Sequence, residues 1–355
     1  MPPKASRRKT TANGTPKTPH LPARDAKSPA QPADLSAEDR EKLRQYLARE
    51  KPFTVHIEPL NKKRKRSPLI PQTDLWQDRL SIQYEVKPRN NWESLRRYKK
   101  FTVGSESIAT GEYILVKNDD TEDAKIDVEA QWKAKVLEVR ALDQEHVYVR
   151  VAWLNRPEDL PMGRQPYHGK NELIPSNEMD IIDAMAVNGR LDVIHWDEYD
   201  DDSAMMPEDQ YFWRQTHEFL TSTYSNLRRI CVDDAPQNPD EMILQCANAE
   251  CRKWMHVKCI AEEAVMDASD QSSADKGSPT NKKRGRPKSL TIAPSSTVVA
   301  KAQKLPFLAE LTVKDHPSNI PDVEPAERTE LVITNGESER QAQRVRCLFC
   351  KHAVE

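Results

Sequence analysis

The chain has 355 residues, of which 37% are hydrophobic and 6% aromatic, and it contains 26 prolines. This length allows two domains, but the composition predicts that a sizeable fraction stays disordered. The net charge is −2. The chain has no run of about 18 apolar residues, so no membrane span is expected. It also has no apolar segment near Met1, so no secretion signal is expected.

Residues 1–75 are predicted to be a disordered basic region with one short helix. The first 35 residues consist mainly of Pro, Lys, Ala, Ser and Thr, and such a segment cannot repay the entropy of folding. A capping residue, Ser36, then precedes a short run of helical periodicity. Residues 62–66 read Lys-Lys-Arg-Lys-Arg, which is typical of a nuclear import signal or of phosphate contacts, although a solvated charge run has the same composition. We therefore predict a nuclear location.

The pattern changes near Trp76, and strand-like segments then continue to about His217. Three clear examples are 111–117, 132–139 and 147–153. In the second, alternation predicts that Trp132 and Val136 face a core and that the lysines face outward. Short strands separated by turn residues favour a small, curled antiparallel sheet or barrel, so the predicted fold class is mainly β.

Several short motifs within this region resemble a BAH domain, which we place at residues 76–218. They are Phe101-Thr-Val-Gly, Trp153-x3-Pro157-Glu158, His168-Gly169-x2-Glu172-Leu173-x2-Ser176-Asn177-x2-Asp180, and Tyr211-Phe212-x-Arg214. Each motif is short, and their shared order carries the resemblance.

All six cysteines lie after this region, and the centre of the group reads Cys246-x4-Cys251-x4-His256-x2-Cys259. Thiolates and imidazoles are the usual ligands of zinc, and closely spaced pairs allow one turn to present two of them. With no secretion signal predicted, metal binding is favoured over disulfides or scattered structural cysteines.

The order of these residues resembles a PHD finger, predicted at 225–265 and closed by 341–355. The resemblance implies two interleaved zinc sites. Four thiolates form one site: Cys246, Cys251, Cys347 and Cys350. The other site lacks one cysteine, so that Asp233, a weaker zinc ligand than a thiolate, completes a degenerate set with Cys231, His256 and Cys259. A BAH domain followed by such a finger is similar to the plant and fungal BAH-PHD chromatin readers.

Residues 266–340 separate the two parts of the finger and are predicted to be a disordered insertion. Residues 282–288 within it resemble an AT-hook. The resemblance implies that Arg284, Gly285, Arg286 and Pro287 enter the minor groove of A·T-rich DNA. A second import signal or a basic linker is the alternative.

The family resemblance also implies a site for a methylated lysine. Trp132 at the start of one strand and Trp153 at the end of the next would form an aromatic cage, whose third position falls on Asn155. Tyr167 is a candidate for closing the cage. Ser176, Asn177 and Asp180 would lie near the peptide backbone. The alternative is that both tryptophans are ordinary core residues of the sheet.

The resulting hypothesis is a non-enzymatic nuclear chromatin-binding protein that reads the polycomb-type trimethyl mark on histone H3 and acts in transcriptional repression. Its expected partners are the histone H3 tail or nucleosome, A·T-rich DNA and chromatin co-regulator proteins, with no membrane. The acidic run 197–202 is a candidate for attracting a basic tail, or is a solvated loop. No nucleotide-binding loop or HExxH motif indicates catalysis. The alternatives are a scaffold whose BAH domain binds other proteins and a RING-like ubiquitin ligase module.

Overall fold

The protein is described here from a computed structural model, which is mainly β, as the sequence predicted. The residues that the structure describes are 35–60, 69–73, 75–77, 80–118, 128–201, 207, 209–274, 307–316, 326–335 and 339–354. The AT-hook-like residues Arg284, Gly285, Arg286 and Pro287 and the basic run 62–66 lie outside them.

The first elements form a unit in front of the main sheet. They are α1 (Ala37–Leu47), β1 (Thr54–Pro59), β2 (Ile70–Gln72), β3 (Ile82–Lys87) and α2 (Arg89–Ser94). The three strands pair antiparallel in the order β1-β3-β2.

The largest sheet is built from the strands that follow. These are β4 (Arg96–Tyr98), β5 (Lys100–Val103), β6 (Glu106–Ala109), β7 (Tyr113–Val116), β8 (Trp132–Ala141), β9 (Val147–Asn155), β10 (Ile174–Asp183), β11 (Val187–Leu191), β12 (Val193–His195), β13 (Tyr211–Trp213), β14 (His217–Glu218) and β15 (Thr223–Tyr224). Short 3-10 turns occur at Pro157–Asp159 and Ala184–Ala186. The sheet order is β11-β7-β8-β9-β10-β14-β15, and β4 pairs with β8. β5 pairs with β6, and β12 runs parallel to β13.

Hydrophobic clusters cover both faces of this sheet. One contains Ala134, Val136 and Val151, and the other contains Ala152, Leu154 and the residues that arrive from the N-terminal unit. In β8, Val136 is buried as expected, but the expectation is wrong at the start of the strand, where Trp132 is 53% exposed and Lys133 is 2% exposed. Alternation fails here because both faces are covered along most of the strand, whereas the face that carries Trp132 is open to water at the start of the strand.

The prediction of disorder up to residue 75 is wrong for the described part of this region. The predicted helix is present, and the Ser36 hydroxyl accepts a hydrogen bond of 3.1 Å from the Asp39 amide. After it, Phe53 is fully buried, and its ring lies edge-on to those of Trp92 and Tyr148, with centroids 5.2 Å apart in both pairs. A few large apolar side chains, packed far along the chain, are therefore enough to order a segment of polar composition.

The zinc-finger region contains β16 (Arg229–Ile230), β17 (Ala235–Pro236), β18 (Ile243–Gln245), β19 (Trp254–His256) and α3 (Val257–Ala274). The predicted disorder of 266–340 is also corrected, because β20 (Phe307–His316), β21 (Ala326–Asn335) and β22 (Glu339–Arg344) form an antiparallel sheet. Alternating residues of β21, Leu331 and Ile333, are buried in the same cluster as Met255 and Ile260. In the described part of the chain, none of the helices combines the length and the apolarity needed to cross a bilayer.

Candidate functional site

Trp132 and Trp153 form an exposed aromatic corner on the main sheet. Trp132 opens β8, and Trp153 lies near the end of β9. Their ring centroids are 5.6 Å apart, and the ring planes meet at 84°. Trp153 is half-buried against the cluster beneath it, whereas more than half of Trp132 is open to solvent. A large aromatic side chain held in this exposed position has a face available for a ligand.

A buried lysine anchors the backbone that carries Trp132. The Lys133 ammonium group donates hydrogen bonds to the carbonyls of Val128, Glu129 and Gln131, at 2.8, 3.0 and 2.9 Å. Three acceptors satisfy all three N–H groups, which lowers the cost of burying this cation. The loop before β8 is thereby held against the strand, and so is Trp132. Sequence reasoning missed this residue, because a lysine within an alternating strand gives no signal of burial.

The third predicted cage position, Asn155, lies beside the corner. The pairing of β8 with β9 places Lys133 opposite Leu154, so Asn155 is one step further along, across from Trp132. Residues two apart on a strand share a face, and Asn155 therefore projects on the same side as Trp153. The ring of Tyr167 instead lies edge-on to that of His168, with ring centroids 4.6 Å apart.

The residues predicted to lie near a peptide backbone have structural partners. Ser176 and Asn177 are buried. The Asn177 amide donates to Glu218 at 2.8 Å and accepts from the Phe219 amide at 2.8 Å, which ties β10 to β14 and its turn. Asp180 forms an ion pair of 3.1 Å with Lys51.

A buried ion network lies behind His168 and was also missed. Arg214 and Glu172 are paired at 3.0 Å with both side chains fully buried, and Arg214 also contacts Glu198 at 2.9 Å. Burial raises the pKa of Glu198. Glu198 belongs to the acidic run 197–202, so part of that run is a structural element. Removing one member of such a network leaves an uncompensated buried charge.

The four thiols predicted for one metal site lie together. Cys246 Sγ is 3.6 Å from Cys350 Sγ, and Cys251 Sγ is 3.8 Å from Cys347 Sγ. A tetrahedral ion bound at about 2.3 Å requires sulfur separations of about 3.8 Å, whereas a disulfide requires about 2.05 Å. The thiols therefore fit a metal ion, and the cross-brace joins residues 96 and 104 positions apart.

The second predicted set also comes together, and each of its ligand atoms lies within 4.8 Å of the others. The Asp233 carboxylate is 3.1 Å from His256 Nδ1, which is 3.9 Å from Cys259 Sγ. Cys231 adopts a φ of 61°, in the left-handed region, and this tight turn directs Cys231 and Asp233 toward one point. A hydrogen bond from the Cys259 thiol lowers the pKa of Cys231 to about 4. This set also fits a cation, with a carboxylate in place of the fourth nitrogen or sulfur ligand.

The finger is joined to the main sheet region by specific polar contacts. The Trp254 indole donates to Asp201 at 2.9 Å, and the Asn238 amide donates to the Pro166 carbonyl at 2.9 Å. Next to it, a Cβ on Gly169 would lie 3.1 Å from the Phe212 ring and 3.4 Å from the Asp240 carboxylate. Glycine leaves room for this close approach, and a larger residue here would require the Phe212 ring to move by a few tenths of an ångström.

Comparisons with known proteins identify two similar plant proteins. The chain is 28% identical over 170 residues to the chromatin remodeling protein SHL of Arabidopsis thaliana, covering 47% of this chain and 71% of that protein. It is 29% identical over 129 residues to the chromatin remodeling protein EBS of the same plant, covering 36% of this chain and 54%, about half, of that protein. The crystal structure of the yeast Rsc2 BAH domain matches 37% of this chain and 54% of its own, at 16% identity and a TM-score of 0.28. No family model matches.

Proposed function

Since the chain belongs to the BAH-PHD family of chromatin proteins, we propose that it is a nuclear reader that binds a trimethylated lysine of a histone tail. The observation that carries the proposal is the exposed corner of Trp132 and Trp153, with ring centroids 5.6 Å apart. The polycomb-type trimethyl mark on histone H3, and a role in transcriptional repression, belong to the same proposal.

The geometry of the corner suits a methylated ammonium group. Two rings at 84° offer two walls, and a cation placed between them contacts both aromatic faces. Each contact contributes about 0.5–2 kcal/mol, depending on how far the cation is desolvated. A trimethylammonium group has no N–H donor and is weakly hydrated. It therefore loses less hydration free energy on entering the corner than the ammonium group of an unmodified lysine does. The corner therefore discriminates between the two.

The cage has two aromatic walls and one amide. Asn155 supplies the amide side, and its position next to Trp132 follows from the strand register. An amide has weaker attraction for a cation than an aromatic face, so we expect modest affinity. Within a nucleosome, contacts elsewhere on the protein would then add to the strength of binding.

In this proposal the two ligand sets of the finger hold zinc and act structurally. Four thiolates give one closed tetrahedral site, and closed sites of this kind stabilise small folds. The ion would cross-link the loop between β18 and β19, which carries Cys246 and Cys251, to the segment after β22, which carries Cys347 and Cys350. The contact from Trp254 to Asp201 then fixes the finger against the loop that follows β12.

The test is calorimetric titration of the full chain with histone H3 peptides that carry either a trimethylated or an unmodified lysine. Wild type should prefer the trimethylated peptide, and Trp132→Ala should lose about 2- to 30-fold in affinity, the equivalent of one contact of 0.5–2 kcal/mol. Trp132 is the residue to change because its side chain is exposed, so that removing it should leave the protein folded.

The matched control is Tyr199→Ala, which removes another aromatic side chain that is 62% exposed. It should leave both affinities unchanged. Equal binding of the two peptides by wild type, or a Trp132→Ala protein that is folded and binds as wild type does, would refute the proposal.

A further inference from the structure

Residues 96–100, which we call the basic strand, read Arg-Arg-Tyr-Lys-Lys, and all five are exposed. They cover β4 and the first residue of β5. Lys99 forms a bend between the two strands, so the backbone that carries the four cations spans at most about 13 Å at about 3.3 Å per residue. The protein as a whole has a net charge of −2, so this density of positive charge is a local feature.

Most of this charge is not neutralised. Arg97 reaches the buried Glu138 at 3.7 Å, but Glu138 is already paired with Arg140 at 2.8 Å and with Arg150 at 3.4 Å. Among the described residues, the other three cations of the basic strand have no carboxylate at ion-pair distance. Exposed cations without such partners are available to an external anion.

One aromatic ring organises the strand further. Tyr98 is 41% exposed, and the Arg96 guanidinium lies over its ring, 5.6 Å from the centroid. This cation–π contact favours one position of the guanidinium, while its N–H groups can still bind oxygen. A planar fork of donors held in this way is suited to phosphate.

We propose that the basic strand binds the phosphate backbone of double-stranded DNA. Four exposed cations grouped around the junction of β4 and β5 match a polymer of closely spaced negative charges, and lysine and arginine supply most contacts of this kind. Because such contacts go to phosphates, this binding does not depend on base sequence. It is also separate from the proposed recognition of methyl-lysine, which uses other residues.

The position of the basic strand gives this surface a role beside the aromatic corner. β4 pairs with the far end of β8, where Tyr98 lies opposite Val139, seven residues from Trp132. At about 3.4 Å per residue, the two surfaces are about 24 Å apart along one strand. A rigid strand thus carries a tail-binding surface at one end and a DNA-binding surface at the other, so that a nucleosome can engage both and gain affinity from the linkage.

The test is the salt dependence of binding between the full chain and a G·C-rich duplex of random sequence, measured by fluorescence anisotropy. The variant is the triple substitution Arg96→Gln, Lys99→Gln and Lys100→Gln. Arg97 is retained, because it contacts the buried Glu138. Each phosphate contact contributes about 0.9 to the slope of log K against log salt, so the slope should become less steep by about 2–3. Lys99→Gln alone should change it by about 0.9.

A control triple, Lys170→Gln, Arg190→Gln and Arg229→Gln, removes the same charge from dispersed exposed positions and should change the slope by less than one contact. Equal slopes for the two triple variants would overturn the proposal, since only net charge would then matter. Loss of nucleosome binding by the first triple, with an unchanged slope on the free duplex, would also overturn it and assign the strand to an acidic protein surface. The trimethyl-peptide affinity of the first triple should equal that of wild type, which separates this test from that of the aromatic corner.

Discussion

Completing the aromatic cage should strengthen peptide binding, and Asn155→Tyr is the substitution that tests this. The strand register places residue 155 across from Trp132 and on the same face as Trp153, so a ring here faces the corner. One additional cation-aromatic contact contributes about 0.5–2 kcal/mol. The dissociation constant for a trimethyl-lysine H3 peptide should therefore fall by about 2- to 30-fold.

Calorimetric titration with the trimethylated and unmodified peptides measures this gain and its selectivity. The affinity for the unmodified peptide should change little, because its ammonium group keeps its hydration. Asn155→Leu is the matched control, since it adds apolar surface without the negative face of an aromatic ring. Equal gains for tyrosine and leucine, or a tyrosine gain that ignores methylation, would refute the cation-aromatic reasoning.

Three further predictions concern the supports of the site. Lys133→Met removes the donor from the carbonyls of Val128, Glu129 and Gln131. Urea unfolding should show that the free energy of unfolding falls by about 1–3 kcal/mol, and peptide binding should weaken. Unchanged stability would contradict the role of Lys133 in anchoring this loop. Cys347→Ser should lower the zinc content by one ion per chain, measured by elemental analysis, and Asp233→Ala should affect the other site; a zinc content that Cys347→Ser leaves unchanged would contradict the four-thiolate assignment. Burial by itself would raise the pKa of Glu138, but the neighbouring Arg150 and Arg140 hold this pKa below its ordinary value of 4.5. The ionised Glu138 carboxylate therefore stabilises the fold above about pH 4.5, and this stabilisation is lost as the pH falls through the lowered pKa. The difference in melting temperature between wild type and Glu138→Gln should therefore shrink below about pH 4.5. A difference that stays constant would show that it does not come from the ion pairs of Glu138 with Arg140 and Arg150.

The metal-binding residues could be predicted from the sequence because their chemistry is local. The pairs Cys246 and Cys251, and Cys347 and Cys350, have the close spacing typical of zinc ligands. The resemblance to a PHD finger implied that the two pairs belong to one site, and the structure brings them together across the insertion. The strands β8 and β9 were also predictable, since β-branched and aromatic residues dominate them.

The remaining features depend on contacts that no local pattern records. Trp76, for example, donates its indole N–H to the Ser176 carbonyl, 100 residues away, and such contacts order the N-terminal unit. The burial of Lys133 at the site could not be predicted for the same reason, because it depends on hydrogen bonds to three carbonyls of a loop. The strands of the insertion were missed because the segment was judged by its overall composition, whereas its strands gain their stability by packing on α3 and the finger core.

The interleaved arrangement of the finger also sets an order in time. The set of Cys231, Asp233, His256 and Cys259 is complete on the growing chain long before Cys347 is made. Cys251 and Cys347 are 96 residues apart, and at a synthesis rate of about 5–20 residues per second this interval lasts roughly 5–20 s. During it, Cys246 and Cys251 are thiols without half of their ligand set, open to oxidants. The set that includes the carboxylate thus has all of its side chains on the growing chain first, and the set of four thiols is completed last.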